Sequence, residues 1–232
     1  METIVIPSRF RGPVDSGNGG YTCGVVAAAA GGEVEVTLRR PPPLDRPLTV
    51  ERDGRGIRVL DRDLLVAEAV PAEWSLEVPD PPAWGEAEAA SARYGGFERH
   101  AFPECFVCGT GRPDGLRIFA GPVAGRDLVA APWIPDDSLP TQPDGALAPE
   151  MIWSALDCPG AWAVERHMED QPVVLGRMVA AVTGSIRAGD RAIAAGWELG
   201  REGRKLFSGT ALFAVDGTQL GRARQTWIVL AG

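Results

Sequence analysis

A chain of 232 residues, 45% hydrophobic and 23% charged, buries roughly 70% of its unfolded surface on folding and so needs no disulfide or metal to hold it. A net charge of −8, with Lys205 the only lysine and no clustered basic stripe, excludes nucleic acid as a partner, because phosphate binding needs a basic face. No run approaches about 18 apolar residues, and Met1–Phe10 lacks a basic stretch ahead of an apolar one. Neither a membrane span nor a signal peptide is therefore expected, and four cysteines point to reduced thiols in the cytoplasm.

The first expected strand is Thr3–Ile6. After a glycine-rich turn, the alanine-rich run Tyr21–Ala30 reads as a helix stopped by Gly31-Gly32. Glu33–Arg39 alternates Val34, Val36 and Leu38 with polar residues, the period of a half-buried strand. Leu48–Glu51 and Ile57–Leu60 flank Arg52-Asp53-Gly54-Arg55, a hairpin turn, and Leu64–Val70 is one more strand. Residues 71–95 read as a linker, because Pro71, Pro79, Pro81 and Pro82 cannot donate to a ladder. A short helix is expected on it within Glu86–Tyr94.

The order then recurs. Leu116–Phe119 and Asp127–Trp133 are expected strands, a Pro/Asp-rich loop covers 135–145, and Pro149–Glu165 is a second apolar helix. Val173–Ile186, Arg191–Leu199, Leu206–Val215 and Leu220–Leu230 follow as strands joined by turns short enough for antiparallel hairpins. Helix starts near 18 and 148 divide the chain into units 1–95 and 96–232. A long apolar helix with a curled antiparallel sheet around it is an α+β arrangement.

Glu104-Cys105-Phe106-Val107-Cys108-Gly109, continuing through Arg112-Pro113-Asp114-Gly115-Leu116, resembles the opening of hotdog-fold acyl-CoA thioesterases, with Arg112 where many of these carry Asn. Ala148–Val164 looks like the central hotdog helix, and Asp157 falls where that family often keeps its catalytic carboxylate. Asn18-Gly19-Gly20 is similar to the family's His-Gly-Gly at a helix start, with Asn replacing His. The resemblance implies a double-hotdog chain: two tandem hotdog units, each a curled antiparallel sheet around a central helix. It also implies an acyl-CoA or other acyl-thioester hydrolase, with one unit's helix start facing a carboxylate on the other unit's helix.

Thioester hydrolysis needs donors for the carbonyl oxygen, which free amides at a helix start supply, and a base or nucleophile. Aligning Gly20 with Glu150 sets Asp157 opposite Ala27, so the first helix has no carboxylate. The second helix starts Ala148-Pro149-Glu150, where Pro149 has no N–H and Glu150 repels an oxyanion. One composite site per chain is expected: Asp157 with the Gly19 and Gly20 amides as catalytic groups, Asn18 and Trp153 contacting substrate. Plainer readings stand beside these. Asp157 sits before Cys158-Pro159-Gly160 and could serve backbone donors at a kink; Gly19-Gly20 could be an ordinary turn, and Asn18 a helix cap.

Cys105 and Cys108 have the spacing of a zinc-ligand pair, yet no second pair follows, and Cys158 or His167 would join only if the fold brought them in. Two small buried hydrophobes are the preferred reading, with no metal and no cofactor. Arg177, Arg187, Arg222 and Arg224 alternate as solvated faces do, although arginine also suits the phosphates of coenzyme A. No nucleophile elbow, dinucleotide fingerprint or P-loop occurs. The rival function is a non-catalytic protein that binds acyl-CoA or another apolar ligand. Enoyl-CoA hydratase chemistry ranks last, as no His lies in the nine residues after Asp157. A homo-oligomer of the fused chain is possible.

Overall fold

The computed structural model describes residues 2–165 and 171–230; His167 lies outside them. Five strands come from the first third of the chain: β1 (Glu2–Val5), β2 (Val34–Leu38), β3 (Pro47–Asp53), β4 (Gly56–Asp61) and β5 (Leu64–Pro71). Six come from the remainder: β6 (Gly121–Pro122), β7 (Val129–Trp133), β8 (Val173–Val182), β9 (Ala192–Glu202), β10 (Lys205–Ala214) and β11 (Gln219–Val229). The helices are α1 (Gly19–Ala30), α2 (Trp84–Ser91), α3 (Pro149–Ala155) and α4 (Cys158–Ala163).

All eleven strands form one sheet, in the order β1-β3-β4-β5-β2-β8-β11-β10-β9-β7-β6. Among the described residues the two groups of strands join where β2 pairs antiparallel with β8, through Glu35↔Val179, Val36↔Met178 and Thr37↔Arg177. Val36 and Met178 point into the core, both fully buried. On the opposite face Arg177 and Arg224 approach Glu35 at 3.3 and 3.6 Å, and Arg177 Nε donates to Thr37 Oγ1. These arginines fasten the seam from its solvent side.

Helix α1 packs directly on α3, and the approach is closer than side chains normally permit. A Cβ at Gly24 would lie 2.8 Å from Glu150 Cα and 2.9 Å from Trp153 Cβ; one at Gly20, a turn earlier, would lie 2.5 Å from Asp157 Cβ. The i, i+4 glycines share one helix face, and that face is where the helices touch. On the other face of the sheet, α2 lays Ala87 and Ala90 on Ala130, Ile193, Ala195 and Phe213. Covered on both sides, Ala192–Trp197 of β9 is continuously buried, which accounts for its unbroken apolar run.

Two expectations fail. Leu116–Phe119 is irregular, because Arg117 takes a positive φ of 57°, outside the strand region. Its amides bond instead to the preceding turn, Leu116 N–H to Phe106 O and Ile118 N–H to Val107 O. The run expected as one helix, Pro149–Glu165, is broken between α3 and α4. Pro159 has no N–H for the Ala155 carbonyl, and the chain tightens through Asp157 N–H to Ser154 O and Gly160 N–H to Asp157 O, both 3.0 Å. The break exposes carbonyls inside the core, and Gln225 on β11 satisfies them: Nε2 donates to Leu156 O at 2.7 Å and Asp157 O at 3.1 Å. Its Oε1 accepts from Ser208 and Trp227. Replacing the 99%-buried Gln225 with Leu strands the Leu156 carbonyl, while Asp157 O keeps its bond from Gly160 N–H. The expected loss is about 1–3 kcal/mol in chemical denaturation, the cost of one buried polar group left unpaired.

Candidate active site

Asn18 caps α1, its Oδ1 accepting from Tyr21 N–H at 2.9 Å, and its main-chain carbonyl takes the first helical bond from Thr22. With Tyr21 capped, the Gly19 and Gly20 amides precede any intrahelical partner. The other end of the Asn18 amide crosses the seam, where Nδ2 donates to Asp157 Oδ2 at 2.7 Å. Both residues are 2% exposed.

Asp157 stands at the α3–α4 break, yet its carboxylate makes no capping hydrogen bond with α4. Its second oxygen, Oδ1, is buried without a hydrogen-bond partner among the described residues. Oδ2 takes the Asn18 amide and, at 3.9 Å, the Cys158 thiol; a buried carboxylate with its other oxygen unspent is unusual in a protein interior. Burial, with the Cys105 sulfur second, pushes its carboxyl up to about 7; the nearby Gly20 amide, the Asn18 side chain and the Cys158 thiol oppose the shift.

The group opens onto a cavity of about 1180 Å³, lined by Asn18, Gly19, Asp157, Leu175, Trp162 and Trp227 among others. Asn18, Gly19, Gly20 and Asp157, expected to act together from opposite halves of the chain, are brought together. Gly20 sits behind the carboxylate rather than on the cavity wall. Trp153 is placed differently from the expectation: it packs on Gly24 and does not line the cavity. Arg177, Arg187, Arg222 and Arg224 also lie away from it, Arg222 stacked 5.2 Å over Trp74. The arginines on the cavity wall are Arg39, Arg40 and Arg99, which no sequence motif marked.

The fold also brings in the third sulfur that the sequence left conditional. Cys158 joins Cys105 and Cys108, with the three Sγ atoms all within 4.8 Å of one another, and His100 Nε2 lies 3.4 Å from Cys108 Sγ. Only the helix break and the turn of residues 103–109 make them neighbours.

No protein-family model matches the chain, and no curated protein matches it in sequence. The tesB protein of Mycobacterium avium subsp. paratuberculosis superimposes with a TM-score of 0.61 at 14% identity, covering 94% of this chain and 89% of that one. Acyl-CoA thioesterase II TesB2 from Mycobacterium marinum superimposes with a TM-score of 0.55 at 14% identity, covering 86% and 80%. The chain shares the α+β hotdog fold of these proteins.

Gly20→Ala tests how closely the halves must approach. The new Cβ would meet Asp157 Cβ at 2.5 Å and the Trp153 carbonyl at 2.6 Å, neither of which can swing away. A loss of about 1–3 kcal/mol is expected, read as a lower denaturation midpoint.

Proposed function

We propose that the chain is two tandem hotdog units, 1–95 and 96–232 with 71–95 as the connection, and that it hydrolyses acyl-CoA or a related acyl thioester at one composite site between them. The observation that carries this reading is Asp157, a residue lining a large cavity whose buried carboxylate keeps one oxygen, Oδ1, unspent. The TesB-like fold supports the substrate class.

In this reading the acyl group lies in the cavity against Leu175, Trp162 and Trp227, with the thioester carbonyl toward the Gly19 amide. Asp157 takes a proton from water as the water oxygen attacks the carbonyl carbon, and the start of α1 stabilises the oxyanion. Collapse re-forms the carbonyl, breaks the C–S bond and releases the thiolate, which recovers the proton from Asp157. Asn18, which also lines the cavity, holds Asp157 through its side-chain amide, and Gly20 backs the carboxylate. No second site is proposed. The residue of α1 aligned with Asp157 is Ala27, and Glu150 occupies the first turn of α3.

Asp157→Asn retains shape and the Asn18 contact but cannot take the proton. Thiol release from acyl-CoAs of graded chain length should fall by about 10²–10⁴, with an unchanged circular dichroism spectrum. Undiminished turnover would remove Asp157 from the mechanism.

The near-complete burial of Asp157, 2% exposed, favours one second reading: a protein that binds acyl-CoA without cleaving it. Saturable binding by the wild type, with no thiol released, would select it.

A further inference from the structure

The proposed hydrolysis makes no use of Cys105, Cys108 or Cys158, although all three line the same cavity. They come from two distant stretches of sequence and are 5%, 4% and 6% exposed. Cys105 and Cys158 lie 3.7 Å apart, Sγ to Sγ, and no pair exceeds 4.8 Å. Three thiolates bound to one zinc at about 2.3 Å in tetrahedral geometry sit about 3.8 Å from each other. The triangle is therefore already close to that of a metal shell.

Main-chain bonds fix the sulfurs there. Gly109 N–H donates to Cys105 O at 2.9 Å, Phe106 N–H to Arg11 O at 2.8 Å, and the Tyr94 hydroxyl to Cys108 O at 2.8 Å. The surrounding donors suit thiolates. His100 Nδ1 accepts from Phe102 N–H, which leaves the ring proton on Nε2, 3.4 Å from Cys108 Sγ. Asn18 Nδ2 lies 3.8 Å from Cys105 Sγ. The nearer acceptor of the His100 proton is the Cys108 carbonyl, 3.1 Å away, so His100 braces the Cys108 turn beside the sulfur and is not counted as a fourth ligand.

We propose that Cys105, Cys108 and Cys158 bind one zinc ion through three sulfurs, with the fourth coordination position facing the cavity for water or a small thiol. On binding, each thiol gives its proton to solvent and three Zn–S bonds form, taking the site from neutral to a net charge of −1. The ion would clamp the turn bearing Cys105 and Cys108 to the start of α4, beside Asp157.

The test is metal content, which is independent of whether the protein hydrolyses anything. Reduced full-length protein is stripped with chelator, reloaded with zinc, freed of loose metal and assayed by mass spectrometry. A parallel sample is loaded with Co²⁺ and its absorption recorded. One zinc per chain is expected, with an intense sulfur-to-cobalt charge-transfer band and four-coordinate d–d bands, both lost in Cys108→Ser. Substoichiometric zinc, or cobalt bound without the charge-transfer band, would overturn the proposal. If Cys108→Ser does not fold, the wild-type stoichiometry and spectrum decide the matter alone.

Discussion

The hydrogen bond from Asn18 Nδ2 to Asp157 Oδ2 joins the two halves of the protein at the cavity that both residues line. It satisfies one oxygen of a carboxylate otherwise surrounded by apolar groups and sulfur. Because burying an unpaired charge is costly, Asp157 is tolerable there only while α1 remains pressed on α3. The glycines at 20 and 24 are what allow that pressure. Hydrogen bonding, helix approach and the β2–β8 pairing are thus three aspects of one constraint: the halves must meet closely enough for one residue of each to share a proton.

A second layer of polar groups holds the carboxylate from behind. Breaking the helix at Asp157 turns the residue toward the seam and frees carbonyls that an unbroken helix would have used. Gln225 then bonds to those carbonyls and is itself held by Ser208 and Trp227, which bond to it and to each other. Such fully connected buried networks rigidify what they touch. The position of Asp157 is set by β11 and β10 as much as by its own helix.

Much of the fold was legible in the sequence. The Val34/Val36/Leu38 alternation, the Asp53-Gly54 turn and the Gly31 stop all came out where local chemistry put them, and Gly31 takes φ +74°. The failures had non-local causes. Arg117 abandons strand geometry because the turn of residues 103–109 claims the neighbouring amides. Trp153 was read as a ligand contact from its chemistry, but the glycine opposite it on α1 made it a packing residue. At the site, Asp157 and Asn18-Gly19-Gly20 were visible as motifs and Cys158 as a conditional partner of the cysteine pair, while Gln225, Arg39, Arg40 and Arg99 were not. Each of these is tens of residues from what it serves, and no periodicity encodes that distance.

The most direct measurement of the central claim is a crystal structure with a non-hydrolysable acyl-CoA analogue in which a ketone replaces the thioester. The account requires the ketone oxygen within hydrogen-bonding distance of the Gly19 amide, and its carbon reachable from Asp157 through one water. An analogue seated elsewhere on the molecule, or held with its carbonyl turned from both α1 and Asp157, would contradict it.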